Sequence, residues 1–412
     1  MTTSFLNSLF LFAFLIMGNI TQDDNNIVFR VNAGEYDLIN HPVSAELPSS
    51  RYTENSVVCL SSGYGNSPVP GQITLSGSHA KLWWTVSQSA GETVDYRILT
   101  GVQCSSSIFS WNSPSPSSTR LNLGDLPVLQ YEHQKFDPED TRLTMKPFHH
   151  LFDPAGKQKI TKGPGGLYGH HRGIFYGYRV YIGGSDERID IWGSVRQKER
   201  SEHYEIIAEY SGPVTGGHVM RIMWKDFDGE PFAEEIRELR AYRQGRGETL
   251  IDFNSTITSL IDEHIHLGGD RHHGGVQFRA SQEVADQEDG NGTSLFIRPA
   301  NLSHIGGRVE LGDDDDIMDL PWNAFNFSVN KRPYTVAYMS HPSNPEGAEM
   351  SERLYGRFGE FIPYDLENRG DSLKLQYRFW VVTGEAPSVE EIDQRYSAYA
   401  ATPVVEVLKG FR

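Results

Sequence analysis

The sequence predicts a mainly β protein in which a large antiparallel β-sandwich follows a small β domain and carries a helix near the C-terminus. Two segments alternate apolar and polar residues, the period-two pattern of a half-buried strand. They are Leu373, Leu375, Tyr377 and Phe379 in one segment and Ile251, Phe253, Ile257 and Ile261 in the other. Further β-rich runs recur at 204–210, 219–224, 276–278 and 334–339. Short strands that recur between turn residues are typical of antiparallel sheets.

The C-terminal helix is predicted by a capping box. Ser388 and Glu391 have the spacing at which a serine and a glutamate three residues later satisfy the first amides of a helix. Ile392, Tyr396 and Tyr399 then follow at helical spacing. We expect this helix to pack across one sheet.

Residues 1–22 have the pattern of an export signal. An apolar run from Leu9 to Met17 is followed by a polar stretch, and such a run is too short to span a bilayer. A buried N-terminal strand or helix is the alternative. Export would place the protein in the periplasm or outside the cell. No other segment has the roughly 18 apolar residues of a transmembrane helix.

Three segments are predicted after the signal. Residues 27–104 carry short β-type runs between Pro and Gly turns, which indicates a small β domain. Residues 105–120 are rich in Ser and Pro and are predicted to be a linker, so the large sandwich domain takes residues 121–412. The two cysteines, Cys59 and Cys104, would form a disulfide in an oxidising compartment. Two buried free thiols are the alternative.

The net charge argues against one class of partner. At −17, with 54 acidic residues against 37 basic ones, the chain lacks the concentrated Lys and Arg of a nucleic-acid-binding surface. The sequence also has no nucleophile elbow, phosphate-binding loop or dinucleotide fingerprint. We therefore expect a small-molecule or oligosaccharide substrate, no nucleic acid and no certain cofactor.

Three adjacent histidine pairs mark the segments that could carry chemistry: His149–His150, His170–His171 and His272–His273. Chance placement would give only about half a pair. The second pair lies in a glycine-rich turn, where Arg172 would supply a planar fork for a carboxylate or a developing oxyanion. Neighbouring side chains on a strand point to opposite faces, so His170 and His171 share a site only if the loop continues through them.

Residues 268–279 repeat this pattern of glycines, a histidine pair and an arginine. Gln277 and Arg279 would share one strand face. His264 and His266 would also share a face if that segment is extended. Two or three imidazoles with an open position would make a catalytic zinc or copper site. A divalent metal is thus one interpretation, beside a metal-free polar cleft and histidines that only satisfy turn backbone.

A third segment, residues 341–359, joins polar, aromatic and guanidinium groups in a loop-like context. His341, Arg353 and Tyr355 are its candidates for contacting a ligand. An aromatic side chain such as Trp192 or Trp322 would stack on a sugar ring.

Together these segments resemble a family of exported bacterial proteins, common in planctomycetes, that is labelled "methane oxygenase PmoA-like". The matching motifs are Lys146–Pro147 to Gly156, His170–Gly173, Gly268–Arg279, Pro321–Ala324 and His341–Gly359. The chain departs from the family pattern at residues 166–168, where Gly-Leu-Tyr replaces an acidic residue and a first histidine. The methane-oxygenase label would require membrane-spanning helices, for which the sequence has no segment of sufficient length.

The resemblance implies a fold similar to the galactose-mutarotase-like supersandwich, whose members bind sugar rings and epimerise, eliminate or hydrolyse them. We therefore expect a carbohydrate-active protein with a His/Arg cleft for a sugar or uronate ring, acting as a lyase, glycoside hydrolase or epimerase-like enzyme. The expected catalytic residues are His171, His272, Arg172 and Arg279, and the expected binding residues are His170, His273, Gln277, His341, Arg353, Tyr355 and Trp192. The alternatives are a non-catalytic glycan-binding protein and a metal-dependent oxygenase.

Overall fold

The computed structural model describes residues 27–48, 52–63, 67–76, 79–104, 107–288, 294–302, 305–306 and 317–409. The predicted export signal lies outside these residues. Within them the chain is built almost entirely of strands, and every strand pair is antiparallel. The predicted mainly β fold with a C-terminal helix is therefore confirmed.

The elements run in this order along the chain. The first part contains β1 (Ile27–Asn32), β2 (Leu38–Pro48), β3 (Val57–Ser62), β4 (Val69–Ser76), β5 (His79–Gln88), β6 (Thr93–Leu99), β7 (Phe109–Ser115), β8 (Ser118–Leu123), β9 (Leu126–Glu132), α1 (Thr141–Thr144), β10 (Phe148–Leu151), β11 (Ile174–Gly177), β12 (Arg179–Ile182), β13 (Ile189–Asp190) and β14 (Arg200–Tyr210). The second part contains β15 (Thr215–Lys225), β16 (Pro231–Tyr242), β17 (Glu248–Ser259), β18 (Ile265–Gly268), β19 (Gly275–Arg279), α2 (Gln282–Glu288), β20 (Leu295–Ile297), β21 (Ile305–Gly306), β22 (Trp322–Val329), β23 (Arg332–Ser340), β24 (Glu349–Arg353), β25 (Arg357–Phe361), β26 (Tyr364–Leu366), β27 (Ser372–Thr383), α3 (Val389–Ala401) and β28 (Val404–Lys409).

Four sheets organise these strands. In spatial order they are a seven-stranded sheet (β2-β5-β4-β3-β6-β1-β28), an eight-stranded sheet (β24-β25-β19-β11-β10-β9-β8-β7), a four-stranded sheet (β13-β12-β18-β26) and a nine-stranded sheet (β14-β15-β16-β17-β27-β23-β22-β20-β21). The eight- and nine-stranded sheets contribute side chains to one large apolar core. The seven-stranded sheet has a core of its own.

Aromatic side chains join the eight- and nine-stranded sheets. The ring of Phe253 on β17 lies 6.1 Å from that of Tyr176 on β11, and Phe379 on β27 lies 6.4 Å from Phe278 on β19. Phe253 also stands directly opposite Tyr377 across the β17–β27 pair. The apolar residues that alternate along β17 and β27 therefore lie on one buried face of each strand, where they fill the core between the two sheets.

The Ser/Pro-rich stretch at 105–120 differs from the predicted linker. Its described residues form β7 and the start of β8, at the edge of the eight-stranded sheet. Phe109 is buried in the sandwich core, and Trp111 donates its indole N–H to the carbonyl of Tyr210. Proline is compatible with an edge strand, which needs fewer amide donors. The Ser/Pro-rich composition of this segment is thus that of an edge strand and not that of a flexible linker.

The C-terminal segment also crosses the predicted boundary. Strand β28 pairs with β1, so the last strand of the chain completes the first sheet. Cys59 and Cys104 form a disulfide within the N-terminal part. In the described residues, no helix is long and apolar enough to cross a membrane.

Helix α3 confirms the capping box. The Ser388 side chain accepts the amide of Glu391, whose side chain accepts the amide of Ser388. Ile392 and Tyr399 pack with Trp322 and Trp380 against the nine-stranded sheet, on the side opposite the sandwich core. The expectation that this helix crosses one sheet is confirmed.

Gly275 marks the closest approach of two backbones in the eight-stranded sheet. It begins β19 with a φ of +77°, and a Cβ at this position would overlap the carbonyl group of Glu360 on β25. A side chain here would therefore meet two obstacles, a left-handed backbone and a steric overlap.

Replacing Gly275 by alanine should lower the free energy of unfolding by about 3 to 5 kcal/mol, because both penalties add. Gly184→Ala is the matched control, since Gly184 has a similar φ of +72° but open space around it. The control should cost about 1 kcal/mol. Urea unfolding measures both variants, and equal losses would contradict this explanation.

Candidate functional site

The second histidine pair lies in an irregular loop that continues to residue 173, so both rings face the same region. β11 begins only at Ile174, and the ring centroids of His170 and His171 are 4.2 Å apart. The Lys162 ammonium fixes this loop by donating to the carbonyls of Gly163, Tyr168 and His171 at 3.2–3.3 Å. The loop therefore does continue through His170 and His171, as it must if the two side chains are to share one site.

His171 occupies an aromatic box. Its ring lies 5.3–6.3 Å from those of Tyr168, Phe175, Trp192 and Tyr355. The side chain is buried, and its Nδ1 has no hydrogen-bond partner among the described residues. Burial, followed by neighbouring positive groups, lowers the pKa of His171 well below its ordinary value. The imidazole is therefore neutral at pH 7 and able to accept a proton.

The other side of this buried site is built by β19, β24 and β25 around Arg357. Its guanidinium donates to Oε1 of Gln277 at 2.9 Å, to Oγ of Ser351 at 3.0 Å and to the hydroxyl of Tyr355 at 3.1 Å. The Ser351 hydroxyl in turn lies 3.3 Å from Nδ1 of His272. Because Tyr355 also contacts His171, this network joins the two predicted motifs into one site.

His272 and His273 have different partners within that site. Nδ1 of His272 accepts an N–H of Arg353 at 2.8 Å, and burial together with Arg353 and Arg357 lowers the pKa of His272 to about 4. His273 instead pairs with Asp270 at 2.9 Å. His272 is therefore neutral, whereas His273 lies in a more exposed place and bonds to Asp270.

Two predicted catalytic arginines have anchoring contacts. Arg172 is fully buried and donates to the carbonyls of Gly169, Leu143 and Arg142, which ties the histidine loop to the end of α1. Arg279 donates to the carbonyl of Tyr355 and lies 5.0 Å from the ring of that tyrosine. Arg172 thus holds the backbone of the histidine loop, and its catalytic role stays a prediction.

Three other residues that were predicted to contact a ligand lie elsewhere than expected. His341 lies apart from this cleft: its ring is 5.0 Å from Tyr399 of α3, and it borders a separate cavity on the outer face of the nine-stranded sheet. Trp192 and Trp322 are both buried, so neither indole has a face open for stacking on a sugar. The half-exposed Tyr168, which the sequence argument did not select, has such a face.

The metal interpretation finds no ligand set in the part of the chain that the structure describes, where no group of three or more His, Cys, Asp or Glu side chains is arranged so that it could hold a metal ion. His264 and His266 do share a face, as expected, because both bond to Oδ1 of Asp365 at 3.0 and 2.7 Å. We derive no catalytic step from a metal.

The first histidine pair belongs to the core. Nε2 of His149 lies 2.8 Å from Nε2 of His218, and Nδ1 of His150 lies 3.0 Å from the Thr161 hydroxyl. Burial lowers the pKa of both histidines, that of His150 to about 3. These neutral imidazoles join strands and do not line the cleft.

Lys146 is the residue that the sequence argument missed as a site component. Its ammonium donates to the carbonyl of Trp192 and lies 5.3 Å from the ring of Phe175. Burial, and secondarily Arg172, lowers the pKa of Lys146 to about 7. A sequence signal existed in the Lys146–Pro147 motif, but nothing in it indicated burial.

Four cations in this region form what we call the basic cluster: Lys146, Lys162, Arg172 and Arg357. Each is at most 4% exposed, and their partners are backbone carbonyls, an amide and hydroxyls. None of the four makes an ion pair with a carboxylate among the described residues. Elsewhere buried arginines do have such partners: Arg237 with Glu235 at 2.6 Å and Arg298 with Glu352 at 2.6 Å. Asp190 and Asp140 act on Lys146 and Arg172 only from beyond ion-pair distance, so the basic cluster has an excess of positive charge.

The fold and the site define a mainly β protein with a buried group of basic side chains beside its histidine loop. A model described as "Family of unknown function (DUF6807)" matches residues 118–397, so the chain belongs to this family. The match agrees with the expectation of an uncharacterised family, but it does not confirm the PmoA-like label. A search of curated proteins found no match.

Two solved structures show the level of structural similarity. The GalM/aldose epimerase homologue from C. elegans has 10% sequence identity and a TM-score of 0.30, with 67% of this chain and 100% of that chain covered. OccK11 (OpdR) from Pseudomonas aeruginosa has 9% identity and a TM-score of 0.12, with 86% and 99% covered. Neither similarity bears on the activity of this chain.

The depressed pKa of Lys146 predicts a pH-dependent stability. Because this pKa falls from 10.5 to about 7 on folding, the unfolded chain binds this proton more readily between pH 7 and 10.5. The free energy of unfolding should therefore rise with pH in this window, by up to about 1.4 kcal/mol per unit. Lys146→Met should flatten the rise, whereas Met at the exposed Lys135 should not. Urea unfolding at several pH values tests this, and equal slopes in all three proteins would contradict it.

Proposed function

We propose that this protein is a carbohydrate-active enzyme that binds an acidic sugar at the basic cluster and removes the proton next to the sugar carboxylate. The observation that carries the proposal is the burial of Lys146, Lys162, Arg172 and Arg357 with only neutral partners. A buried charge without a counter-charge is costly. An anionic ligand would supply the missing negative charge.

Arg357 is the residue best placed to receive a carboxylate. Three of its N–H groups bond to Gln277, Ser351 and Tyr355, which leaves N–H groups on both terminal nitrogens for a ligand. Its neutral partners hold the guanidinium plane without neutralising it. A planar, fixed guanidinium is suited to bidentate recognition of a carboxylate. A uronate ring is therefore favoured over a neutral sugar at this site.

His171 would act as the general base. It is neutral, and its Nδ1 has no partner among the described residues. The same positive groups that lower its pKa would be partly neutralised by a bound carboxylate, so ligand binding should raise this pKa toward the value useful for proton transfer. In the free protein the low pKa would keep His171 unprotonated, and its basicity would increase only when the ligand binds.

The chemical step is proton abstraction at C5 of the uronate. The C–H bond breaks, the proton passes to His171, and the electron pair moves into the carboxylate to give an enediolate that Arg357 stabilises. Return of a proton to the other face gives epimerisation. Alternatively, the pair expels the oxygen at C4 as a C4–C5 double bond forms, and that oxygen takes up a proton, which is elimination. Both outcomes share the first step.

The exposed part of the site would contact the sugar ring. Tyr168 is 48% exposed, and its ring lies 5.1 Å from that of the part-buried Tyr355. Tyrosine offers both an apolar face and a hydroxyl to a sugar. If residues 1–22 act as an export signal, the substrate would be met in the periplasm or outside the cell.

Incubation with uronate oligosaccharides in D₂O tests the shared step. The native protein should incorporate deuterium at C5 or release an unsaturated product, both of which mass spectrometry detects. His171→Asn should reduce the rate by at least about a hundredfold, whereas His264→Asn, on the separate Asp365 group, should leave it unchanged.

Two results would contradict the catalytic proposal. One is full turnover by His171→Asn on every uronate that the native protein accepts. The other is saturable uronate binding by the native protein with neither deuterium incorporation nor product, which would make it a glycan-binding protein. Arg357→Gln serves as a second variant, because weaker uronate binding in a folded protein would still locate the ligand at the basic cluster.

A further inference from the structure

A separate cavity of about 1090 Å³ lies between the seven-stranded sheet and the outer face of the nine-stranded sheet. Polar side chains from β16, β17 and β27 line it in two neighbouring rows. In register these rows are Arg240–Asp252–Arg378 and Glu238–Asn254–Gln376. The cavity has the size of a site for a ligand of a few rings.

The charges of this cavity are balanced within its own wall. The ion pairs are Arg378 with Asp252 at 2.6 Å, Arg240 with Glu238 at 2.7 Å and Lys81 with Glu46 at 3.3 Å. Three cations thus face three carboxylates. This arrangement differs from that of the basic cluster, and it favours no net charge on a ligand.

Aromatic rings hold the polar groups in place. The guanidinium of Arg240 lies between Trp83 and Tyr210, at 4.3 and 4.0 Å from their ring centroids. Arg378 lies 4.3 Å from the ring of Tyr399 and makes a two-point contact with Asp252. Groups that are fixed before binding lose little conformational entropy when a ligand arrives.

One buried atom of this wall, Nη1 of Arg240, has no hydrogen-bond partner among the described residues. Asn254 donates through its amide nitrogen to Glu238 and Gln376 accepts through its amide oxygen from Ser343, so Oδ1 of Asn254 and Nε2 of Gln376 are the amide atoms left for a ligand. The set comprises two donor groups and one acceptor. A sugar hydroxyl donates and accepts at once, so neighbouring hydroxyls match this set.

We propose that this cavity is a second ligand site, which binds a short neutral saccharide. It is independent of the acidic-sugar site at the basic cluster, because the two share no lining side chain. His341, which the sequence argument assigned to the histidine cleft, borders this second site. His341 and Ser343 lie beside Gln376. The polar residues at the start of the segment 341–359 therefore belong to this cavity and not to the site of the two histidine pairs.

Calorimetric titration with cellobiose, lactose, maltotriose and xylotriose tests the proposal. At least one of these neutral saccharides should bind saturably to the native protein. Asn254→Ala and Gln376→Leu should each weaken that binding by about five- to tenfold, since each removes one hydrogen bond. Lys374→Leu is the matched control, because Lys374 is exposed on the same face of β27 but lies outside the cavity wall.

Failure of this proposal is distinguishable from failure of the proposed enzyme activity. His171→Asn should retain neutral-saccharide binding, and Gln376→Leu should retain any turnover of uronates. Absence of binding by all four saccharides, or binding that both cavity variants leave unchanged, would overturn the second site. Because Gln376 is exposed, its variant remains informative if Asn254→Ala does not fold.

Discussion

Four buried cations without carboxylate partners constrain the end of the sandwich where the histidine motifs meet. Lys162 holds the histidine loop through three carbonyls, and Arg172 ties that loop to α1. Arg357 joins β19, β24 and β25 through Gln277 and Ser351. Each contact organises the backbone, yet none cancels the charge. The protein thus maintains a positive field in a buried place, at a cost to stability.

The two polar regions of the molecule follow opposite electrostatic rules. In the basic cluster, cations are satisfied by neutral acceptors, so the site retains a net attraction for an anion. On the outer face of the nine-stranded sheet, Arg240 and Arg378 each have a carboxylate of their own. Such a wall offers directional hydrogen bonds without a net field. The two proposed ligand sites therefore differ in the charge of the ligand that each would favour.

Much of the fold followed from the sequence because local rules decided it. The alternation along β17 and β27 and the capping box at Ser388 both depend on neighbours within a few residues. The Ser/Pro-rich stretch was predicted wrongly as a linker, since its composition is shared by flexible chains and by edge strands such as β7. The return of β28 to the first sheet is a long-range pairing, and no local pattern encodes it.

The site was predicted in part for the same reason. Adjacent histidines and glycines identified the loop of His171 and the strand of Gln277, and the structure brings these together through Arg357. Burial could not be deduced, so neither the backbone contacts of Arg172 nor the place of Lys146 in the site was predicted. Trp192 was expected to stack on a sugar ring, but its packing against His171 and Phe175 buries it.

If the basic cluster accepts a carboxylate, D-galacturonate should bind there more tightly than D-galactose, and calorimetric titration with the two sugars measures this difference. The two sugars differ only in the carboxylate at C6. In buffers of different ionisation enthalpy near pH 7, galacturonate should bind with uptake of protons, because its charge raises the depressed pKa of Lys146 above its value of about 7 in the free protein. Galactose should bind more weakly at this site and take up none. Equal affinity for both sugars, with no proton uptake for either, would contradict the account.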